Sequence, residues 1–145
     1  MPEFLDLAGN IFATTADAIV ITVNTEGVMG AGIALDAKLR WPQVLDRYVE
    51  ACEAGGMSVG TNLSLSAQEA GASLSVICLA TKKSWKLPSR LSYVKVGVDD
   101  LARHLESSKL RSIAIPHLGC SHGGLSWADV RPVIVAALET VTSLE

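Results

Sequence analysis

The sequence predicts an α/β domain, a sheet layered with helices, and three observations carry that prediction. Residues 18–23, Ala-Ile-Val-Ile-Thr-Val, are apolar almost without interruption, the pattern of a strand covered on both faces in a parallel or mixed sheet. Two glycine-bearing segments, residues 23–35 and 115–127, each follow a β-branched run and precede an amphipathic stretch. That order reads as strand, glycine loop, helix start. Between the two segments strand and helix patterns alternate, as in layered α/β domains.

Taken in order, residues 32–39 read as a short helix ending near Trp41-Pro42, and Pro42 opens a second helix that Gly55-Gly56 stops. Residues 62–66 alternate polar and apolar and read as a strand. Glu69-Ala70-Gly71 is a turn, and residues 74–80 form the next strand, so the two make a hairpin. Residues 81–90 are a basic loop containing Pro88. Ser92 is placed to cap a helix whose apolar residues Val94, Val98, Leu101 and Leu105 recur at spacings of four, three and four. Residues 111–115 are a further core strand, and Ser126 caps the last helix, with Asp129 in its first turn.

The length of 145 residues fits a single domain spanning 1–145. Hydrophobic residues make up 49% and charged residues 19%, which excludes a disordered chain. Aromatics are only 5%, so the core must be built from Val, Ile, Leu and Ala. The net charge of -3 excludes the surface as a whole as a nucleic-acid footprint, and any such contact needs a local basic patch. Cys52, Cys78 and Cys120 lie far apart and without metal-ligand spacing, which suits a reduced, cytoplasmic setting and no metal site. The start, Met1-Pro2-Glu3-Phe4, lacks the form of a signal peptide, and no apolar run approaches the ~18–20 residues of a membrane span.

A strand–glycine loop–helix junction points free N–H groups and the positive end of a helix dipole at one spot, which suits a phosphate. Two such junctions suggest a ligand with two phosphates, or a nucleotide with a long tail. Lys82 follows a strand end, a usual place for chemistry; it reads either as a catalytic group or as a solvated loop lysine. Lys83, Trp85, Lys86 and Arg90 combine cations with an aromatic, as single-stranded nucleic acid binding requires, or form a polar loop with Trp85 packed back. Asn24 ends the first core strand, either facing a ribose or bonding its own turn. His122 reads as a donor near a diphosphate or as a structural histidine, and His117 and His104 as structural. Cys120 reads as a small packing residue, because no local base would activate it.

These residues resemble a macrodomain, the ADP-ribose-binding fold, and within it the DarG-type branch that also includes the terminal ADP-ribose glycohydrolases. The resemblance rests on Gly9-Asn10-Ile11-Phe12, residues 23–35, Ala80-Thr81-Lys82-Lys83 and residues 119–127, which span nearly the whole chain in order. It implies a three-layer α/β/α sandwich with a mixed central sheet, and ADP-ribose lying across the carboxyl ends of the central strands. Asn10 and Ile11 would meet the adenine. Asn24, Thr25, Gly27, Val28, Met29, Gly30, Gly32 and Ile33 would wrap the distal ribose. Leu118, Gly119, Cys120, Ser121, His122, Gly123, Gly124 and Leu125 would cradle the diphosphate. Lys82, with Asn24, would act at the anomeric carbon. No cofactor is implied.

Three departures from the family pattern stand out. Asn10 replaces the usual Asp, keeping an acceptor for the adenine amino group without its charge. Gly123 aligns with the Asp that the terminal glycohydrolases pair with their lysine. The chain stops at Leu144-Glu145, about where a final edge strand would begin, so either the protein lacks that strand or the chain was cut there. The resemblance implies a glycohydrolase that frees a macromolecule of ADP-ribose, the modified group being thymine in DNA, as an antitoxin opposing a cognate ADP-ribosyltransferase toxin. Single-stranded ADP-ribosylated DNA, or ADP-ribosylated protein, is the expected substrate. A non-catalytic ADP-ribose reader and a deacetylase of acetylated ADP-ribose are the alternatives. An excised module and a stand-alone enzyme both remain open.

Overall fold

The computed structural model describes residues 2–69 and 71–145. Its elements are β1 (Ala18–Asn24), α1 (Gly32–Arg40), α2 (Pro42–Glu53), β2 (Leu63–Glu69), β3 (Ala72–Lys82), α3 (Leu91–Glu106), β4 (Ile113–Ala114) and α4 (Trp127–Leu138), preceded by a single 3-10 turn at Ile11–Ala13. The four strands lie in the order β2-β3-β1-β4. β1 runs parallel to β3 and β4, while β2 and β3 form the antiparallel hairpin, so the sheet is mixed.

The central strands are buried on both sides, and side-chain alternation divides the core in two. Ile19, Ile21, Val23, Val76, Cys78 and Ala80 face α1 and α2, packing with Ala37, Trp41, Leu45 and Tyr48. Ala18, Val20, Ile77 and Leu79 face α3 and α4, packing with Val94, Val98, Leu101, Leu105, Val130, Ile134 and Leu138. Helix, sheet, helix is the three-layer arrangement expected. On the second face α3 approaches closely because Gly97 has no side chain: a Cβ there would meet Leu79 Cδ2 at 2.9 Å.

Several boundaries differ from the expectation. Ser92 does not cap α3. The helix opens two residues earlier, after Arg90, whose extended backbone is the N-cap and makes no side-chain cap bond. Ser126 does stand at the N-cap of α4, with Asp129 in the first turn, but its hydroxyl makes no cap bond. β4 is two residues long rather than five. Its lead-in is held by side chains instead of a ladder, with Asp17 N–H on Ser112 Oγ and Arg111 N–H on an Asp17 carboxylate oxygen. Pro116, with no N–H, stands just beyond it. The hairpin strands are longer than expected and reach Glu69 and Ala72; of the expected turn, Ala70 lies outside the described residues and Gly71 takes φ +81°. No strand follows α4 among the described residues. Instead Val141 and Leu144 close the second core, and Glu145 joins the termini: its N–H bonds the Arg111 carbonyl, and its carbonyl accepts from Glu3 N–H.

Cys78 sits in the first core with its thiol pushed up to about 12, mainly by burial, with a smaller contribution from Cys52. An unfolded thiol titrates near ~8.5. The unfolded chain therefore loses this proton first, so stability is full below ~8.5 and falls as pH rises toward the folded value, by about 1 kcal/mol per pH unit. Urea midpoints followed from about pH 8 to about pH 11 should show this slope in the wild type and a shallower one in Cys78→Ala. Equal slopes in the two proteins would contradict it.

Candidate functional site

The site begins with an irregularity where β1 and β3 end. Their parallel register runs regularly from Ala18↔Ser75 to Val23↔Ala80, then shifts so that Asn24 pairs with Lys82. Thr81 is the extra residue. A one-residue bulge inverts the alternation of faces beyond it and re-aims the next side chain. Here it sets Asn24 and Lys82 side by side at the carboxyl end of the sheet, where open α/β sheets bind ligands.

Asn24 is buried and organises the first loop. Its Oδ1 accepts from the N–H groups of Glu26, Gly27 and Val28 at 3.0, 3.0 and 3.3 Å, and its Nδ2 donates to the Val28 carbonyl at 3.0 Å. Below it the buried Tyr48 hydroxyl donates to the Asn24 carbonyl oxygen at 2.7 Å. Burial raises the Tyr48 phenol well above its ordinary range, which keeps it a donor. The side chain of Asn24 is thus committed to its own turn, the second of its two sequence readings. Gly27 turns at φ +87° against Cys52, and Gly32, at φ +64°, opens α1.

The second loop is built around a buried serine. Ser89 N–H bonds the Gly123 carbonyl at 3.0 Å, and Leu125 N–H bonds the Gly119 carbonyl at 2.9 Å. A Cβ on Gly123 would stand 2.3 Å from both the Gly119 oxygen and Ser89 Oγ. The position that carries an aspartate in the expected pattern therefore has no room for any side chain. Among the described residues the N–H groups of Gly119, Ser121, His122 and Gly123 make no hydrogen bond, so four donors remain available within five residues. His117, just before this loop, stacks on Trp127 with ring centroids 3.8 Å apart.

The two loops meet at His122. Lys82 Nζ donates to the His122 carbonyl oxygen at 3.1 Å, and the His122 ring lies beside Gly32, 3.6 Å from where a Cβ would be. Together they enclose a cleft of about 890 Å³. Asn24, Val28, Gly30, Gly32 and Ile33 line it from the first loop, Lys82 from the end of β3, Trp85 from the segment after it, and Gly119, Cys120, Ser121, His122 and Gly123 from the second loop. Thr22, Val23, Ala31, Ala34, Thr81, Pro116 and His117 also line it, beyond the binding residues the sequence indicates. Thr22, Val23 and Thr81 are at strand ends, Ala31 lies between two glycines, Ala34 is in the first turn of α1, and Pro116 and His117 follow β4, so strand-end position is the signal for the first three. The lining holds no Asp or Glu.

Other expected binding residues lie off the cleft wall. Asn10 caps the 3-10 turn, its Oδ1 accepting from Phe12 N–H at 3.0 Å, with Ile11 inside that turn. Thr25 ties the first loop to the end of β3 by donating to the Lys83 carbonyl at 2.7 Å. Met29 and Leu118 are buried in the two cores. Gly124 and Leu125 close the second loop, Leu125 beneath Gly119. Of the basic residues, Lys86 lies over the Trp85 ring, and Lys83 and Arg90 over that of Tyr93. Burial raises the Cys120 thiol, so it is no activated nucleophile. Among the described residues no group of three or more His, Cys, Asp or Glu is placed to hold a metal ion, and no helix is long and apolar enough to cross a membrane.

A sheet-end cleft between two N–H-rich loops also has a sequence counterpart: the Macro domain family model matches residues 20–134. The chain is a macrodomain. It is 39% identical to the Thermus aquaticus DNA ADP-ribosyl glycohydrolase over 94% of its own length and 38% of that relative, so it spans well under half of it. The solved macrodomain of Mycobacterium tuberculosis DarG superposes with a TM-score of 0.95 at 33% identity, covering 100% of this chain and 95% of that one. The structure of Thermosipho africanus DarTG in complex with ADP-ribose matches at a TM-score of 0.83 and 26% identity, over 92% of this chain and 38% of that one.

Two substitutions probe the loop supports of this macrodomain. Tyr48→Phe strands the Asn24 carbonyl and should cost about 1–3 kcal/mol of stability. Gly123→Ala forces a Cβ into backbone and should cost about as much or more. Urea unfolding measures both. A neutral Gly123→Ala would show that the loop is not packed as described.

Proposed function

We propose that this macrodomain is an ADP-ribosyl glycohydrolase acting on DNA, with thymine the modified base. One observation carries the reading: among the described residues Lys82 is the one lysine or arginine on the cleft wall, and its Nζ bonds where the two loops meet. Its similarity to the Thermus and Mycobacterium DNA ADP-ribosyl glycohydrolases supports it, as does the ADP-ribose complex of the Thermosipho protein. In this reading the free N–H groups of residues 119–123 take the diphosphate, and the loop shaped by Asn24 takes the distal ribose. Asn24 then acts as a positioning residue rather than on the reacting atoms.

The chemistry must proceed without a carboxylate, since none lines the cleft. Water adds to the anomeric carbon as its bond to the thymine ring nitrogen breaks. The bonding pair leaves with the base, delocalised over an imide flanked by two carbonyls, and the proton lost by water ends on that nitrogen. An imide anion is a tolerable leaving group, so one ammonium that stabilises the departing charge suffices. The His122 carbonyl holds Lys82 in the orientation for this. The natural counterpart is a transferase that installs the modification, and the domain serves as the antitoxin that reverses it. A second reading, a reader that binds ADP-ribose without cleaving it, is favoured by the same absence of a carboxylate.

Wild-type protein should release ADP-ribose from modified DNA faster than from modified protein or from the acetyl ester. Lys82→Ala should slow release by at least about 100-fold while calorimetry finds ADP-ribose affinity within a few-fold. Lys82→Arg separates two roles, since arginine keeps the charge but cannot attack as a free amine. Partial activity in Lys82→Arg supports the charged helper. Tight binding by wild type with no release from any substrate leaves the reader.

A further inference from the structure

The segment from Thr81 to Leu91 carries Lys82, Lys83, Lys86 and Arg90 and no acidic residue, in a chain of net charge -3. Elsewhere, among the described residues, most cations are paired with a carboxylate: Arg40 with Glu69, Lys95 with Asp99, Arg103 with Asp100, Arg111 with Glu145 and Arg131 with Asp6, leaving Lys38, Arg47 and Lys109 scattered and unpaired. Among the described residues none of the four cations in this segment has a carboxylate partner. Their one aromatic neighbour on the cleft wall, Trp85, is 53% exposed, the most exposed of the three tryptophans by far, since Trp41 is at 6% and Trp127 lies under His117. Leu87 and Leu91 of the same segment are also exposed, so Trp85 belongs to a group of exposed apolar side chains rather than standing alone.

The segment has two parts. At the cleft rim Trp85 carries Lys86 over its ring, with Nζ 5.5 Å from the centroid. Further along, Lys83 Nζ and Arg90 Cζ each lie 5.7 Å from the centroid of Tyr93, and these side chains with Leu87 and Pro88 line a notch of about 60 Å³. That space admits a small charged group and not a base. An aromatic platform beside a doubly cationic notch matches the two recurring parts of a nucleic-acid strand, base and phosphate.

We propose that residues 83–90 form a track for single-stranded DNA, in which Trp85 stacks a base next to the nucleotide in the cleft and the Lys83–Arg90 notch takes a backbone phosphate. This rests on reading the substrate as DNA. A duplex offers no free base face to Trp85, and its modified base could not enter the cleft without being extruded, so the strand must be single. The track also supplies the local basic patch that an acidic domain needs to approach a polyanion.

The test measures binding of an unmodified, fluorescein-labelled oligothymidylate of about a dozen nucleotides by anisotropy, with the matching duplex and an acidic peptide as competitors. Wild type should prefer the single strand. Trp85→Ala should weaken it about 5–150-fold, the range for loss of one stacked base. The Lys83→Ser/Arg90→Ser double variant should lower the slope of log affinity against log salt by about 1.4, two phosphate-facing charges at about 0.7 each. Its side chains lie outside the cleft, so calorimetric ADP-ribose affinity reports that the fold is intact. Unchanged strand affinity in Trp85→Ala, an unchanged salt slope, or competition by duplex or peptide as strong as by single strand would each overturn the proposal. Because the strand carries no modification, a protein that binds it yet releases no ADP-ribose refutes the glycohydrolase reading and leaves the track standing.

Discussion

The extra residue Thr81 in the β1–β3 ladder is the constraint on which the site depends, because it sets Lys82 and not Thr81 beside Asn24. From there Lys82 Nζ reaches the His122 carbonyl oxygen, an exposed contact to a loop forty residues later that orients the ammonium where the two glycine loops meet. The loops themselves are shaped by Asn24 and by the packing of Gly123 on Ser89. Remove the bulge and the lysine shifts to the other face of the strand. The position of the candidate catalytic group is therefore a property of the register, and the register is held by a core buried on both faces of β1 and β3.

Each loop, in turn, is supported from beneath by one polar residue, the first through its side chain and the second through its backbone N–H. Asn24 gathers three N–H groups of the first loop and is itself held by the Tyr48 hydroxyl. Ser89 fills the space beneath the second loop, and its N–H holds the Gly123 carbonyl. In the first loop Asn24 Oδ1 accepts from three N–H groups; in the second the bonds fall on carbonyls, Gly123 accepting from Ser89 N–H and Gly119 from Leu125 N–H, so among the described residues the N–H groups of Gly119, Ser121, His122 and Gly123 stay free for a ligand. The lack of side-chain room at Gly123 follows from this packing, and it limits the chemistry: the cleft has a cation and donors but no carboxylate. A substrate whose leaving group is already stable suits such a site better than one needing a strong general base.

Much of this was legible in the residues because it depends on local order. Glycines after β-branched runs marked both loops, and the apolar run through Ala18–Val23 marked a strand buried on both faces. Pro42 and Gly55 marked the ends of α2. What escaped depends on tertiary contacts. Nothing local to Ala80-Thr81-Lys82 announces a bulge, since register is set by pairing with a strand some sixty residues away. The commitment of Asn24 to its own turn was one of two readings, and only the distances decide it. β4 shrank to two residues because Asp17 and Ser112 side chains replace ladder bonds that its sequence would allow. Trp85 was evenly balanced between a packed and a presented ring, and the structure presents it.

The central claim is that the two loops form one receptor. A titration of isotope-labelled protein with ADP-ribose, followed by amide NMR, tests it most directly. The account predicts that the amides of Gly30 and Ala31 and those of Gly119, Ser121, His122 and Gly123 shift together along a single binding isotherm. Shifts confined to one loop, or two loops titrating with different affinities, would contradict it.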